Sequence, residues 1–158
     1  MGRTRCILAV LVVAAPLGGC GDTITKRDYV ARADAICASA VRQTRVIPPP
    51  TLAGSQAQRL DALAQYFARV LPIAQSELAQ LQALKRPSAD ATDRAVLQRF
   101  LATLRQTVGD YRALVTAAQR GDAQGVAAAV ARLRASPLVA LAARYGLGSC
   151  GAPGGTAV

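Results

Sequence analysis

The chain has 158 residues, with 19 Lys and Arg against 9 Asp and Glu, no histidine and a formal net charge of +10. Without histidine it lacks the commonest general base and metal ligand, and with them the usual nucleophile triads. Its single methionine is Met1, which excludes a methionine copper site, and its arginines are scattered without stacking rings beside them, which argues against a nucleic-acid partner.

The chain opens with a targeting pattern. Arg3 and Arg5 form a positive start, and residues 6–17 are an almost wholly apolar run of 12. Secretory apolar segments run about 7–15 residues, whereas a membrane-spanning helix needs about 20. Arg3-Thr4-Arg5 is not a twin-arginine pair, so the general secretion route is expected. Leu17-Gly18-Gly19-Cys20 then resembles the lipobox of bacterial lipoproteins. A soft thiolate takes up a diacylglyceryl group, and small residues before it let the peptidase approach the backbone. Residues 1–19 are therefore read as a signal peptide, Cys20 as the lipidation site, and 20–25 as a short linker. The expected location is the outer face of the cell membrane. An ordinary secretory peptide cut after a small residue, leaving Cys20 free or paired, is the alternative.

Of the four cysteines, Cys6 leaves with the signal and Cys20 carries the anchor. Cys37 and Cys150 remain, in an oxidising compartment, and are expected to form a disulfide.

Beyond the linker the chain reads as four amphipathic helices. Thr25 and Asp28 mark the first start, and Tyr29, Ala33, Ile36, Cys37 and Ala40 follow at helical spacing, which predicts a helix over about 26–46. Pro48, Pro49 and Pro50 end it. Ser55 and Gln58 form a second capping box, and Leu60, Leu63, Phe67, Leu71, Leu78 and Leu81 extend a stripe over 55–85. Pro72 lies inside that helix and is expected to kink or split it. Asp90, or alternatively Ser88, caps a third helix over 90–120, with Asp93 in its first turn and an Asp90–Arg94 pair one turn apart. Gly121 suits a left-handed cap and Asp122 the next start. The fourth helix is expected over 123–145 with Pro137 inside, stopped by Gly146. No strand alternation and no phosphate-binding glycine loop interrupts this. The predicted fold is all-α, an antiparallel up-down-up-down four-helix bundle over residues 26–151, followed by a small flexible tail at 152–158. In that topology the segment after Gly146 must turn back along the first helix, with Leu147 dipping inward, for Cys150 to reach Cys37.

Tyr29, Ala33-Asp34-Ala35-Ile36-Cys37 and Tyr145-Gly146-Leu147, with Cys150-Gly151, together resemble the two signatures of a family of small actinobacterial lipoproteins and secreted proteins. Leu71-Pro72-Ile73 and Gly121-Asp122 also fit that pattern, and the similarity spans residues 29–151. The resemblance implies a helical fold and the Cys37–Cys150 pairing. It implies no catalytic residue, and Pro137 departs from the pattern.

Few groups remain for chemistry. Asp34 and Asp110 are the acids nearest mid-helix inward positions, and the simpler reading makes them exposed surface carboxylates. Tyr29, Tyr66, Tyr111 and Tyr145 read as core-edge rings. No catalytic constellation, metal site or cofactor is implied. Pro72, Gly109 and Pro137 fall at one height in the bundle. They suggest a mid-bundle pocket lined by Phe67, Leu71, Pro72, Val108, Gly109, Pro137 and Leu138, set against a packed core that tolerates three irregularities. Lys26, Arg27, Lys85, Arg86 and Arg144 share the anchored end and are expected to contact anionic lipid headgroups, offset in part by Asp28, Asp90 and Asp93. The functional expectation is a lipid-anchored, non-enzymatic extracytoplasmic module that scaffolds or binds a protein or envelope component. The alternative is a lipoprotein binding a small apolar ligand in the mid-bundle pocket.

Overall fold

The computed structural model describes residues 24–150. The expected signal peptide, the expected lipidation site Cys20, Gly151 and the tail expected at 152–158 lie outside the described residues. Within them the chain is all-helical: α1 Lys26–Arg45, α2 Gln56–Ala83, α3 Ala91–Gln119, α4 Ala123–Arg134 and α5 Leu138–Tyr145. Antiparallel neighbours pack in sequence, α1 on α2 and α2 on α3, and α3 carries both α4 and α5. The architecture is a four-helix bundle whose fourth member is made of two pieces.

Local chemistry sets the helix ends. The Asp28 amide donates to Thr25 Oγ1 at 3.1 Å, and the Thr25 hydroxyl donates to the Asp28 carboxylate at 2.8 Å. At α2 the capping box is complete, with the Gln58 amide donating to Ser55 Oγ and the Ser55 amide to Gln58 Oε1. Asp90 and Asp122 accept from the amides of Asp93 and Gly125 at 2.8 and 2.9 Å. Caps of this kind each stabilise by about 1 kcal/mol. Gly121 and Gly146 sit at φ +70° and +97°. Each closes its helix with the paired bonds of a Schellman motif: Asp122 N–H to Ala117 O and Gly121 N–H to Ala118 O, then Leu147 N–H to Ala142 O and Gly146 N–H to Ala143 O.

The two internal prolines behave differently. The helix expected to kink or split at Pro72 runs unbroken from Gln56 to Ala83, with the Pro72 ring exposed. The helix expected over 123–145 stops at Arg134 and restarts at Leu138. Pro137 has no N–H to give and disfavours helical backbone at Ser136. Ser136 supplies the local substitute, its Oγ accepting the Leu138 amide at 3.4 Å. The stretch Ala123–Tyr145 is apolar and long enough to cross a bilayer by length and composition. In the bundle it supplies Val126, Ala129, Leu138, Ala142 and Tyr145 to the interior.

Three apolar clusters stack along the bundle. One gathers Tyr29, Cys37, Leu81, Phe100, Leu104, Leu138, Tyr145 and Leu147 at the end where α1 begins. The middle one centres on Phe67, Val108, Tyr111 and Leu114. The third joins Leu60, Ala64, Ala118 and Val126 at the opposite end. Burying a Leu or Phe side chain stabilises by about 1.5–3 kcal/mol. The rings read as core-edge are deeper than expected: Tyr29, Tyr111 and Tyr145 are fully buried, and only Tyr66 is at the edge.

After Gly146 the chain folds back along α1. Leu147 is buried, and Cys150 is bonded to Cys37 across a sequence separation of 113. Asp34 holds this segment by accepting the amides of Gly148 and Ser149 at 3.3 and 2.9 Å. Both aspartates expected on the surface thus have structural partners. Asp110 is buried, paired with Arg132 Nε at 2.6 Å, and accepts from the side-chain Nε2 of Gln106.

Candidate functional site: the basic end of the bundle

The start of α1, the connector between α2 and α3, and the end of α5 meet at one end. Ile24 bridges to Pro87, and the Ser88 amide donates to Ile24 O at 3.2 Å. This short pairing fixes where the chain enters the fold. Of the five basic residues expected here, Arg27, Lys85, Arg86 and Arg144 are exposed. Lys26 is not free for a headgroup: its Nζ pairs with Asp93 at 2.8 Å and lies 4.9 Å from the centre of the Tyr145 ring. Arg86 donates to the Tyr29 hydroxyl at 3.3 Å.

Beside these residues the surface opens into a groove of about 320 Å³, lined chiefly by Arg86, Pro87, Arg94, Leu97, Leu101, Arg105 and Tyr145. Small-molecule sites begin near this size, at about 300 Å³. The lining holds three arginines and no carboxylate. Arg94 does not form the expected pair with Asp90; its guanidinium donates to Ala89 O. Arg105 has no hydrogen-bond or ion-pair partner among the described residues. The Tyr145 hydroxyl is buried without a hydrogen-bond partner. Burial pushes its pKa up to about 12, with Tyr29 and Asp93 adding to the effect and Arg86 opposing it. Burial likewise raises the Tyr29 hydroxyl, against the nearby Arg86 charge. Both phenols therefore stay protonated and able to donate at neutral pH.

Sequence reading did not single out this groove, although one signal was available. Arg94, Leu97, Gln98, Leu101, Ala102 and Arg105 recur at spacings of three and four and occupy one face of α3.

The residues expected to line a mid-bundle pocket do not converge. Phe67 stacks on Tyr111 with centroids 5.4 Å apart and packs with Val108 in the middle cluster, while Leu71 is only half-buried at its margin. Leu138 belongs to the cluster at the basic end. Pro72 and Pro137 are exposed. Gly109 lies on a shallow groove between α3 and α4, where an added Cβ would meet nothing within 4 Å. Equal height along a bundle does not place residues on the same face, because each helix turns its positions by the 3.6-residue period. The core at that level is packed.

One inward acid escaped the sequence reading. Glu77 on α2 is only 9 % exposed. It borders a narrow crevice with Thr44, Phe100, Leu104, Leu138 and Cys150. Burial pushes its pKa up to about 7. Among the described residues, no cluster of three or more His, Cys, Asp or Glu side chains is placed to hold a metal ion. No family model, no curated protein and no solved structure matches the chain.

Proposed function

We infer that the protein is a lipid-anchored, non-enzymatic helical module on the outer face of the cytoplasmic membrane. Export is by the general secretion route, with the chain held by a diacylglyceryl group on Cys20. It serves as a scaffold or as a binder of a protein or envelope component, and the basic end is its membrane-proximal face.

One observation carries this reading. Only residues 21–23 separate Cys20 from Ile24, whose backbone is pinned to the connector at Pro87 and Ser88. Four residue steps reach at most about 14 Å. An acyl group on Cys20 therefore keeps the basic end close to the headgroups, where Arg27, Lys85, Arg86 and Arg144 meet anionic lipid. Two acyl chains anchor stably where one binds only marginally, because each buried methylene contributes about 0.8 kcal/mol.

The test is fractionation of cells expressing the wild type and Cys20→Ser, with metabolic labelling by a radioactive fatty acid. The wild type should be labelled and sediment with membranes. Cys20→Ser should be unlabelled and extractable with salt, and adding Lys85→Glu and Arg86→Glu should loosen its remaining low-salt association. A labelled Cys20→Ser chain, or an unlabelled wild type, would contradict the anchor.

A further inference from the structure

We propose that the groove between α3 and the end of α5 binds a phosphate-headed amphiphile, with the head held by Arg86 and Arg94 and the apolar part lying along Leu97 and Leu101. The idea rests on the functional reading above only for which end of the bundle faces lipid.

The charge of the groove is the first argument. Three guanidinium groups line it without a carboxylate among them. Two other basic side chains are matched by carboxylates, Lys26 by Asp93 at this same end and Arg132 by Asp110. Here the positive charge is left uncompensated, a condition that an anion relieves. Guanidinium is suited to the task, because its planar fork of N–H donors matches the oxygens of phosphate. Arg86 and Arg94 are also positioned. The first is steadied by the Tyr29 hydroxyl and the second by Ala89 O, each through one Nη1 contact that leaves other donors available.

The unpartnered hydroxyl is the second argument. Tyr145 is 1 % exposed, and its oxygen has no hydrogen-bond partner. Buried hydroxyls are almost always satisfied. Tyr145 lines the groove, at the end where Arg86 lies. A ligand oxygen seated between Arg86 and Arg94 supplies the missing acceptor.

The apolar floor is the third. Leu97, Leu101 and Ala102 continue from the head position along α3 toward Arg105, with Pro87 of the preceding connector beside them. Arg94 and Arg105 are eleven residues apart, roughly 16 Å along the helix. Arg105 is thus at the far end from the head, and its methylene stem is suited to covering a chain. A free phosphate ion would leave this floor unused, and a neutral apolar ligand would leave the arginines uncompensated.

The experiment is calorimetric titration of hexyl phosphate into the whole chain held in phosphatidylcholine nanodiscs, with empty nanodiscs as the blank. One saturable site per chain is expected. Inorganic phosphate and hexyltrimethylammonium should each bind at least about ten-fold more weakly, because each lacks one half of the match. Arg86→Ala with Arg94→Ala should weaken binding by about ten-fold or more, and Arg105→Ala by less. Tyr145→Phe should weaken it by about three-fold or more, through a lost donor, while leaving the helical circular dichroism unchanged. Absence of saturable binding by the wild type would overturn the proposal. So would affinity unaffected by the paired arginine substitution or by Tyr145→Phe. Repeating the titration with about a quarter of the lipid as phosphatidylglycerol separates two sources of the ligand. Weaker apparent affinity means that membrane headgroups compete for the groove, and unchanged affinity assigns it to a soluble amphiphile. The two readings fail separately in the wild type: saturable binding by a chain found to carry no lipid contradicts only the anchor, and no binding by a lipidated chain contradicts only the groove.

Discussion

The two ends of the bundle are held by different physics. At the basic end the contacts join residues far apart in sequence: Cys37 with Cys150, Asp34 with the amides of Gly148 and Ser149, Lys26 with Asp93, and Arg86 with Tyr29. At the opposite end the helices meet through Leu60, Ala64, Ala118 and Val126, and their turns are set by the local caps at Ser55, Gly121 and Asp122. α5 explains the contrast. It has 8 residues, too few for a stable helix in isolation. The sequence beyond it must be tied down from outside, and the disulfide and Asp34 do this. The end that carries uncompensated arginines and a buried unpaired hydroxyl is thus also the end that is covalently fastened. That pattern suits a binding site built at some expense of local stability.

The largest effect expected from this contrast is at the disulfide. Replacing Cys37 and Cys150 by serine, or reducing them, should lower unfolding stability by about 4–5 kcal/mol on the loop-closure argument. Amide exchange should rise first in α5 and residues 146–150, leaving the end near Ser55 protected. Uniform loss of protection along the bundle would remove the distinction between the ends. In the middle of the bundle, Phe67→Ala should cost about 3–5 kcal/mol through lost packing. The denaturation midpoint should fall by the same amount with and without the disulfide. Strong coupling between the two changes would mean that the halves do not act separately.

Glu77 gives a pH test of the interior beside the disulfide. Its pKa lies at about 7 in the fold against 4.5 for the ordinary side chain, with burial as the cause. The folded state therefore holds a proton that the unfolded state releases between these values. The stabilisation is fully present below about pH 4.5 and is lost as pH rises through about 7. The difference corresponds to about 3 kcal/mol by pH 8. Glu77→Gln should remove that slope, and an equal slope in the variant would assign it to other groups. The smallest effect concerns the groove. Tyr145→Phe removes an unsatisfied buried hydroxyl and should raise the stability of the ligand-free protein by about 1 kcal/mol. A loss of stability would show that the hydroxyl is satisfied in solution.

Much of the fold was legible because its signals are local. Ser55 with Gln58, Asp90, Gly121 and Gly146 all stand where the spacing predicts. Counting cysteines left Cys37 and Cys150 as the pair found bonded. What was not legible depends on azimuth and on competition. Pro72 and Pro137 look alike in sequence, yet only Pro137 ends a helix, and there Ser136 offers an alternative acceptor for the Leu138 amide. The supposed mid-bundle pocket failed because Leu138 packs in the cluster at the basic end while Gly109 opens onto a surface groove between α3 and α4. Glu77 was overlooked because a carboxylate is ordinarily read as exposed, although its spacing from Val70, Ala74 and Leu81 places it on the buried face of α2. The α3 face from Arg94 to Arg105 was readable as spacing, but its neighbours Arg86 and Tyr145 come from other elements, and only the fold unites them.

The most direct test of a disulfide-clamped module tethered at its basic end is the intact mass of the protein extracted from membranes, measured with and without reductant. The expected mass is that of residues 20–158 plus a diacylglyceryl group, rising by about two hydrogen masses on reduction. A mass without the lipid, or one that does not change on reduction, would contradict the tether or the clamp respectively.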